Sequence, residues 1–352
     1  MLKIGIIGCG KIAQVRHAPE YSENKDCSLA GFYDYDFPRA QELAGQYSGV
    51  AFHSLEELLD SGVDAVSVCT ANTAHAAASI KALRQGVHVL CEKPMATTLK
   101  DCEEMVRAQK ESGKVLMIGH NQRFSRAHAA AREMIREGRI GRVLTFRTTF
   151  GHPGPEGWTG LKNSWFFDKT RAAFGVLADL GIHKTDLVHF LLGESIAEVS
   201  AKLTTIDKKF PNGTPISVED NAVCLYTTQS GVTGTMHVSW TFYGGEDNST
   251  RVYGTEGVLR LYDDPEYSLI LEKKDGTSLK QQLGRLASNK EQTSGSRENT
   301  GVIDAFVDSI LKDTLPGIDG REALKAMRVI FAAEQAALEG RAVEVRHTTQ
   351  AL

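Results

Sequence analysis

Apolar and polar positions alternate in blocks along the first 120 residues. Short, almost wholly apolar runs cover residues 3–8, 29–33, 65–70, 87–91 and 114–119, and stretches of helical period lie between them, notably 74–85 and 99–111, closed by Gly86 and Gly113. Strands that are apolar on both faces need cover on both faces, and a helix between successive strands lets them run parallel. The pattern therefore predicts an α/β, doubly wound parallel sheet.

Beyond Phe124 the pattern changes. A helix over 127–137 leads through Gly138-Arg139-Ile140-Gly141 into a strand over 142–150, and 175–193 reads as a strongly apolar helix. Six β-rich segments follow, at 196–206, 221–228, 232–242, 249–253, 258–262 and 267–272, joined by turns at Gly231 and Gly257 with no long helix among them. Parallel neighbours require longer crossovers, so this part is expected to be α+β with a large, mostly antiparallel open sheet. Met236, Val238 and Trp240 fall on one face of a strand and His237, Ser239 and Thr241 on the other, a mixture that suits contact with another subunit. Helices over 302–312 and 321–339 are expected to cover the core, and the polar stretch 284–301 reads as a mobile loop. The expected domains are residues 1–121 and 122–352, with the last helices able to pack back on the first.

Composition narrows the classes. A chain of 352 residues has room for two cores. It carries 40 basic and 44 acidic side chains, net −4, a balance that draws it neither to nucleic acid nor to a membrane surface. No apolar run approaches the roughly 18 residues of a spanning helix. The six cysteines are far apart, without a C-x-x-C pair, and read as small buried hydrophobes in a reduced, cytoplasmic setting.

Chemistry enters at the ends of the predicted strands. Gly8-Cys9-Gly10-Lys11-Ile12-Ala13 is a G-x-G-x-x-A turn between strand and helix: Gly8 for the tight turn, Gly10 for close approach of a pyrophosphate, Ala13 for close helix packing. Asp34 follows the next strand, 24 residues after Gly10, where a carboxylate accepts from the adenosine ribose hydroxyls. That charge favours NAD over NADP, tempered by Arg39; the plainer reading makes Asp34 a helix N-cap. Thr70-Ala71-Asn72-Thr73-Ala74-His75 and Glu92-Lys93-Pro94 follow two further strands, with Pro94 stiffening the turn that holds Lys93. His75 reads equally as a cofactor contact or as a polar residue in the first turn of a surface helix.

These segments, with Gly119-His120-Asn121-Gln122-Arg123-Phe124 and Asp179-Leu180-Gly181-Ile182-His183 followed by Asp186, resemble the Gfo/Idh/MocA (glucose-fructose oxidoreductase/inositol dehydrogenase) family over essentially the whole chain. Ala71 and His120 depart mildly from the family pattern. The resemblance implies a Rossmann domain that binds NAD, with NADP possible, through Gly8, Gly10, Lys11, Ile12 and Asp34 in its first half. Thr70, Asn72, His75, Glu92, Lys93 and Gln122 would complete the cofactor contacts. It also implies a sugar or polyol substrate and a homodimer or homotetramer formed through the C-terminal sheet.

Within helix 175–193, Asp179, His183 and Asp186 fall at i, i+4 and i+7 on one face, a polar stripe that must meet solvent or serve a site. Oxidising a secondary alcohol takes a proton from oxygen while hydride leaves carbon, and an imidazole titrates in the right range to accept that proton. His183 is the expected base, Asp179 its orienting or hydroxyl-binding neighbour, and Lys93 the cation beside the developing alkoxide. Arg123, His152 and Trp165 are expected to meet substrate, Trp165 from an aromatic loop over 158–167. Internal redox cycling for epimerisation or elimination, a non-catalytic NAD sensor, and a metal site on Asp179, His183 and Asp186 are the competing readings; a metal is not expected.

Overall fold

The computed structural model describes residues 1–160, 164–286 and 299–347. They form two compact units, one of residues 1–121 and 299–324, the other of residues 122–286 and 325–347.

In the first unit β1 (Leu2–Ile7), β2 (Cys27–Tyr33), β3 (Val50–Phe52), β4 (Ala65–Val68), β5 (His88–Cys91) and β6 (Leu116–Ile118) make a six-stranded sheet in the order β3-β2-β1-β4-β5-β6. Every pairing is parallel. This is the Rossmann order, with the connection reversing direction at β1 and β4, so that the ends of those strands open the ligand-binding crevice. β4 is buried at all four positions, as cover on both faces demands. Ser54 and Thr98 cap the helices Leu55–Asp60 and Leu99–Ser112 by accepting from Glu57 N and Asp101 N. β3 was not foreseen: it is a three-residue edge strand whose Val50 is exposed, too short to show a period. The helix Val302–Leu311 belongs to this unit, and Thr300 ahead of it donates from N (3.2 Å) and Oγ1 (2.9 Å) to Glu20.

The second unit holds β7 (Val143–Gly151), β8 (Ile196–Thr204), β9 (Asn221–Thr228), β10 (Thr233–Ser239), β11 (Thr250–Gly254), β12 (Gly257–Leu261), β13 (Leu269–Lys273), β14 (Ser278–Gln281) and β15 (Val343–Glu344). They form one sheet ordered β14-β13-β12-β11-β7-β10-β9-β8-β15. The pairings are antiparallel except that of β7 with β10, which a long intervening chain makes possible. Ala222, Cys224, Tyr226 and Thr228 of β9 are buried while Val223 and Leu225 are 42% and 50% exposed, the alternation of a sheet with one core face. Gly234 is required where β10 meets β7, because a Cβ there would lie 2.5 Å from the Phe146 ring. β14 and β15 escaped the sequence reading: one is exposed at three of four positions, the other has two residues.

The predicted helix over 175–193 is built differently. Leu177–Gly181 winds as a π-type turn and Ile182–Leu192 continues as an α-helix. Such widened turns recur at functional sites because they re-aim side chains off the regular helical face. Ser239, expected on the second face of its strand, has no exposure. Most of the expected loop over 284–301, namely 287–298, lies outside the described residues, as do residues 161–163 of the aromatic loop.

Candidate active site

In the first unit the expected cofactor residues gather at the carboxyl ends of β1, β2, β4 and β5. Gly8 has φ +90°, and a Cβ on it would come within 2.8 Å of the Cys69 carbonyl and of Thr70 N, so only glycine lets the first turn pass this close to the end of β4. Gly10 faces open space, with nothing within 4 Å of the position a Cβ would take. Behind it Lys11 and Ile12 open a helix whose first amides have no intrahelical acceptor, and Ala13 is completely buried where the helix meets the sheet. A diphosphate fits this arrangement: open space over Gly10, backed by amide donors at a helix start.

Asp34 is not the cap of the following helix, whose N-cap position is Asp36. Its Oδ2 accepts the Cys9 amide at 2.7 Å and its Oδ1 the Asp36 amide at 2.9 Å, which fixes the carboxylate against the glycine turn. Each oxygen keeps a further lone pair, enough for a ribose hydroxyl. Arg39 stands 3.9 Å from Asp34 and 3.1 Å from Asp36.

Glu92 and His75, both expected near the cofactor, are engaged within the protein. Glu92 Oε1 lies 2.9 Å from His17 Nε2, and Oε2 accepts the amide of Lys93 at 3.1 Å. Burial alone would raise its pKa, but the His17 hydrogen bond and the charges of His17, Arg16 and Lys93 overcome that and hold it down at about 2. The carboxylate is thus turned inward. His75, 1% exposed, has Nδ1 2.8 Å from the Pro94 carbonyl and Nε2 3.1 Å from that of Thr70. Both nitrogens face main-chain carbonyls, and since burial pushes its pKa down, the neutral ring has one N–H to donate, to one of them at a time. Asn72 is buried in the short 3₁₀ turn Asn72–Ala74.

In the second unit the wide turn and helix Leu177–Leu192 carry Asp179 and His183, each 8% exposed. Asp179 Oδ2 accepts the indole N–H of Trp240 at 3.0 Å, and Trp240 is fully buried where the chain leaves β10. The His183 ring lies 6.0 Å from that of Phe150, which meets His152 edge-on at 5.9 Å. Trp165 stacks on Phe166 at 4.0 Å, and Phe166 and Phe167 both approach Trp240. His152 Nδ1 accepts the Gly154 amide. Aromatic rings thus border both Asp179 and His183, a setting that suits the apolar faces of a sugar or cyclitol.

Two expected contributors, Arg123 and Gln122, are paired within the second unit. Arg123 donates from Nε (2.7 Å) and Nη2 (2.6 Å) to the two oxygens of Asp186, which is 1% exposed, and its guanidinium lies over the Phe190 ring. This bidentate, enclosed ion pair gives Arg123 a structural post, and it takes Asp186 out of a metal site with Asp179 and His183. The polar stripe of the helix is therefore divided: Asp186 is neutralised in the interior, Asp179 and His183 are held against aromatic rings. Gln122 donates to Asn248 Oδ1 at 3.1 Å.

Sequence reasoning missed three supports. In the sequence Trp240 shows only as a strand position, although a buried indole signals that its N–H has a partner. Lys184, beside His183, is wholly buried and donates to the Asn248 carbonyl at 2.9 Å; burial pushes it down to about 7 while Asp247 and Glu246 pull it back up. Glu219 Oε1 accepts from Gly175 N (2.8 Å) and Leu177 N (3.0 Å), capping the turn that presents Asp179.

A parallel sheet in the Rossmann order with a glycine turn shaped for a diphosphate defines a dinucleotide-binding fold. The family model described as "Oxidoreductase family, NAD-binding Rossmann fold" matches residues 2–120, and the "GFO/IDH/MocA C-terminal domain" matches residues 128–260. The chain belongs to the Gfo/Idh/MocA family and is an NAD(P)-dependent dehydrogenase acting on CH–OH groups. It is 33% identical to the 1,5-anhydro-D-fructose reductase of Ensifer adhaerens over 305 residues, 84% of each chain. It is 26% identical to the myo-inositol 2-dehydrogenase of Thermotoga maritima over 348 residues, 98% of each chain. Among solved structures, the aldose-aldose oxidoreductase of Caulobacter crescentus superimposes with a TM-score of 0.82 at 28% identity, covering 97% of this chain and 99% of that one. Among the described residues no helix is long and apolar enough to cross a membrane.

Proposed function

We propose that the protein oxidises a ring secondary alcohol of a sugar, sugar derivative or inositol, with Lys93 and His183 in proton transfer. The observation that carries this reading is the pairing of a carboxylate, Asp179, and an imidazole, His183, each 8% exposed on one helical segment bordered by aromatic rings. Such a site binds a ring by its apolar faces and its hydroxyls by the polar pair. The relatives named for anhydrofructose, inositol and aldoses support the substrate class.

In this reading His183 accepts the hydroxyl proton, and Asp179, anchored by Trp240, fixes the alcohol or the ring of His183. Lys93 lends positive charge to the oxygen as it becomes an alkoxide. The nicotinamide, when bound, supplies the hydride acceptor. Gly8, Gly10, Lys11 and Ile12 hold the diphosphate, and Asp34 the adenosine ribose, which favours NAD. Thr70, Asn72 and Gln122 are further cofactor contacts, and His152 and Trp165 face the substrate.

A homodimer or homotetramer through the second unit's sheet is part of the proposal, supported by Val223 and Leu225, exposed on the face opposite the core. Six buried free thiols support a cytoplasmic setting. The test is NAD reduction across inositols, hexoses, anhydro sugars, sugar phosphates and nucleotide sugars. Net NADH with one cyclic polyol is the expected result. Product formation without net NADH would favour the internal redox cycle, and NAD binding without any turnover would favour a sensor.

A further inference from the structure

The turn Glu92-Lys93-Pro94 is gripped on both flanks by buried histidines. On one side His17, 1% exposed, reaches Glu92 Oε1 at 2.9 Å, while the other oxygen of Glu92 holds the Lys93 amide. His17 Nδ1 faces Ser67 Oγ at 3.1 Å, and that hydroxyl lies 2.8 Å from Tyr21 Oη, so a chain of enclosed polar groups anchors Glu92 to β4 and to the helix Ala18–Glu23. On the other side His75 Nδ1 stands 2.8 Å from the Pro94 carbonyl, with Nε2 3.1 Å from the Thr70 carbonyl. Proline has no amide, so that carbonyl is the only main-chain group by which Pro94 can be held.

Stability gives no reason for this arrangement. Apolar side chains would fill the same volume without desolvating a carboxylate and its hydrogen-bond partners, whereas buried polar groups fix geometry. The geometry fixed here is that of Lys93, whose long, flexible stem aims its amine only if its own backbone is held. We propose that His17 and His75 are positioning residues for Lys93, one through the Glu92 side chain and one through the Pro94 carbonyl. The inference rests on the reading of Lys93 as a proton-handling group.

The experiment is a double-mutant cycle in the full-length protein. His17→Leu and His75→Leu are each made in the native chain and in Lys93→Ala, and turnover, NADH dissociation constant and melting temperature are measured. Each histidine substitution should lower kcat by about 30- to 100-fold, with NADH affinity changed less than about threefold. In the Lys93→Ala background the same substitutions should change residual turnover by less than about twofold. Equal losses in both backgrounds, or a kcat within about twofold of native for both variants, would overturn the proposal. A second readout needs no turnover: acetylation of Lys93 by acetic anhydride, followed by peptide mass spectrometry, should change in rate in both variants, and unchanged rates in both refute positioning. Should the leucine variants fail to fold, His17→Gln and His75→Gln, which keep one donor, enter the same cycle. Turnover that survives Lys93→Ala alone would remove the catalytic reading of Lys93, and the acetylation rates would still decide whether the histidines hold it.

Discussion

The indole of Trp240 donates to the carboxylate of Asp179 at 3.0 Å, joining the end of a strand to the widened turn that precedes His183. A buried carboxylate is costly without donors, and this bond sets the direction in which its other oxygen points. Trp240→Phe keeps the ring and removes the donor. It should destabilise the protein by about 1–3 kcal/mol and raise KM for the polyol more than KM for NAD. Thermal unfolding and steady-state kinetics check both.

His183→Ala and Lys93→Ala should each lower turnover by about 10²- to 10⁴-fold, the usual contribution of a positioned proton-transfer group. NADH binding, followed by fluorescence, should survive in both. Undiminished turnover in the two variants would refute the assigned roles.

Arg123 and Asp186 form an enclosed bidentate pair. Arg123→Met should cost about 3–5 kcal/mol of stability, since it strands a carboxylate in the interior. Arg123→Met with Asp186→Leu should recover much of that loss. Denaturant titrations measure both; a normal melting temperature with a raised substrate KM in Arg123→Met would instead assign Arg123 to the substrate site.

Asp34 faces the glycine turn with Arg39 nearby. Asp34→Ser removes the charge that repels a 2′-phosphate and leaves the arginine. The ratio of kcat/KM for NAD over NADP should fall by at least about tenfold, or about 1.4 kcal/mol. An unchanged ratio would show that cofactor choice is made elsewhere.

Burial pushes the Glu219 carboxyl up to about 7, against the pull of the main-chain donors at Glu219, Leu177 and Gly175, and Glu334 adds to the rise. The folded state therefore holds this proton more tightly than the unfolded chain, and stability due to Glu219 is full below about pH 4.5 and lost as pH rises through about 7. Glu219→Gln keeps an oxygen for both amides and removes the charge. Compared with the native protein, it should gain stability at pH 8 relative to pH 5, up to about 3 kcal/mol by urea unfolding. No difference between the two pH values would mean that Glu219 titrates normally.

The parallel sheet was legible because short apolar strands and helical spacers carry their own periods, and the glycine turn because Gly8 must adopt φ +90° beside Thr70. The second sheet was legible as antiparallel, except for the pairing of β7 with β10, which joins residues some 90 positions apart and leaves no local trace. Asp179 and His183 were found from spacing and resemblance. Trp240, His17 and Lys184 were not, since each acts through a partner distant in sequence.

By itself the sequence determined which residue types stand at the strand ends and on the apolar helix, and so the class of chemistry they can perform. Only the tertiary structure decided their occupations. It committed Arg123 to Asp186, turned Glu92 toward His17, set both nitrogens of His75 on main-chain carbonyls and hung Asp179 from Trp240. The physical reason is that a polar side chain declares its donors and acceptors in sequence, whereas the partner that satisfies it in the interior is chosen by packing between segments far apart in the chain.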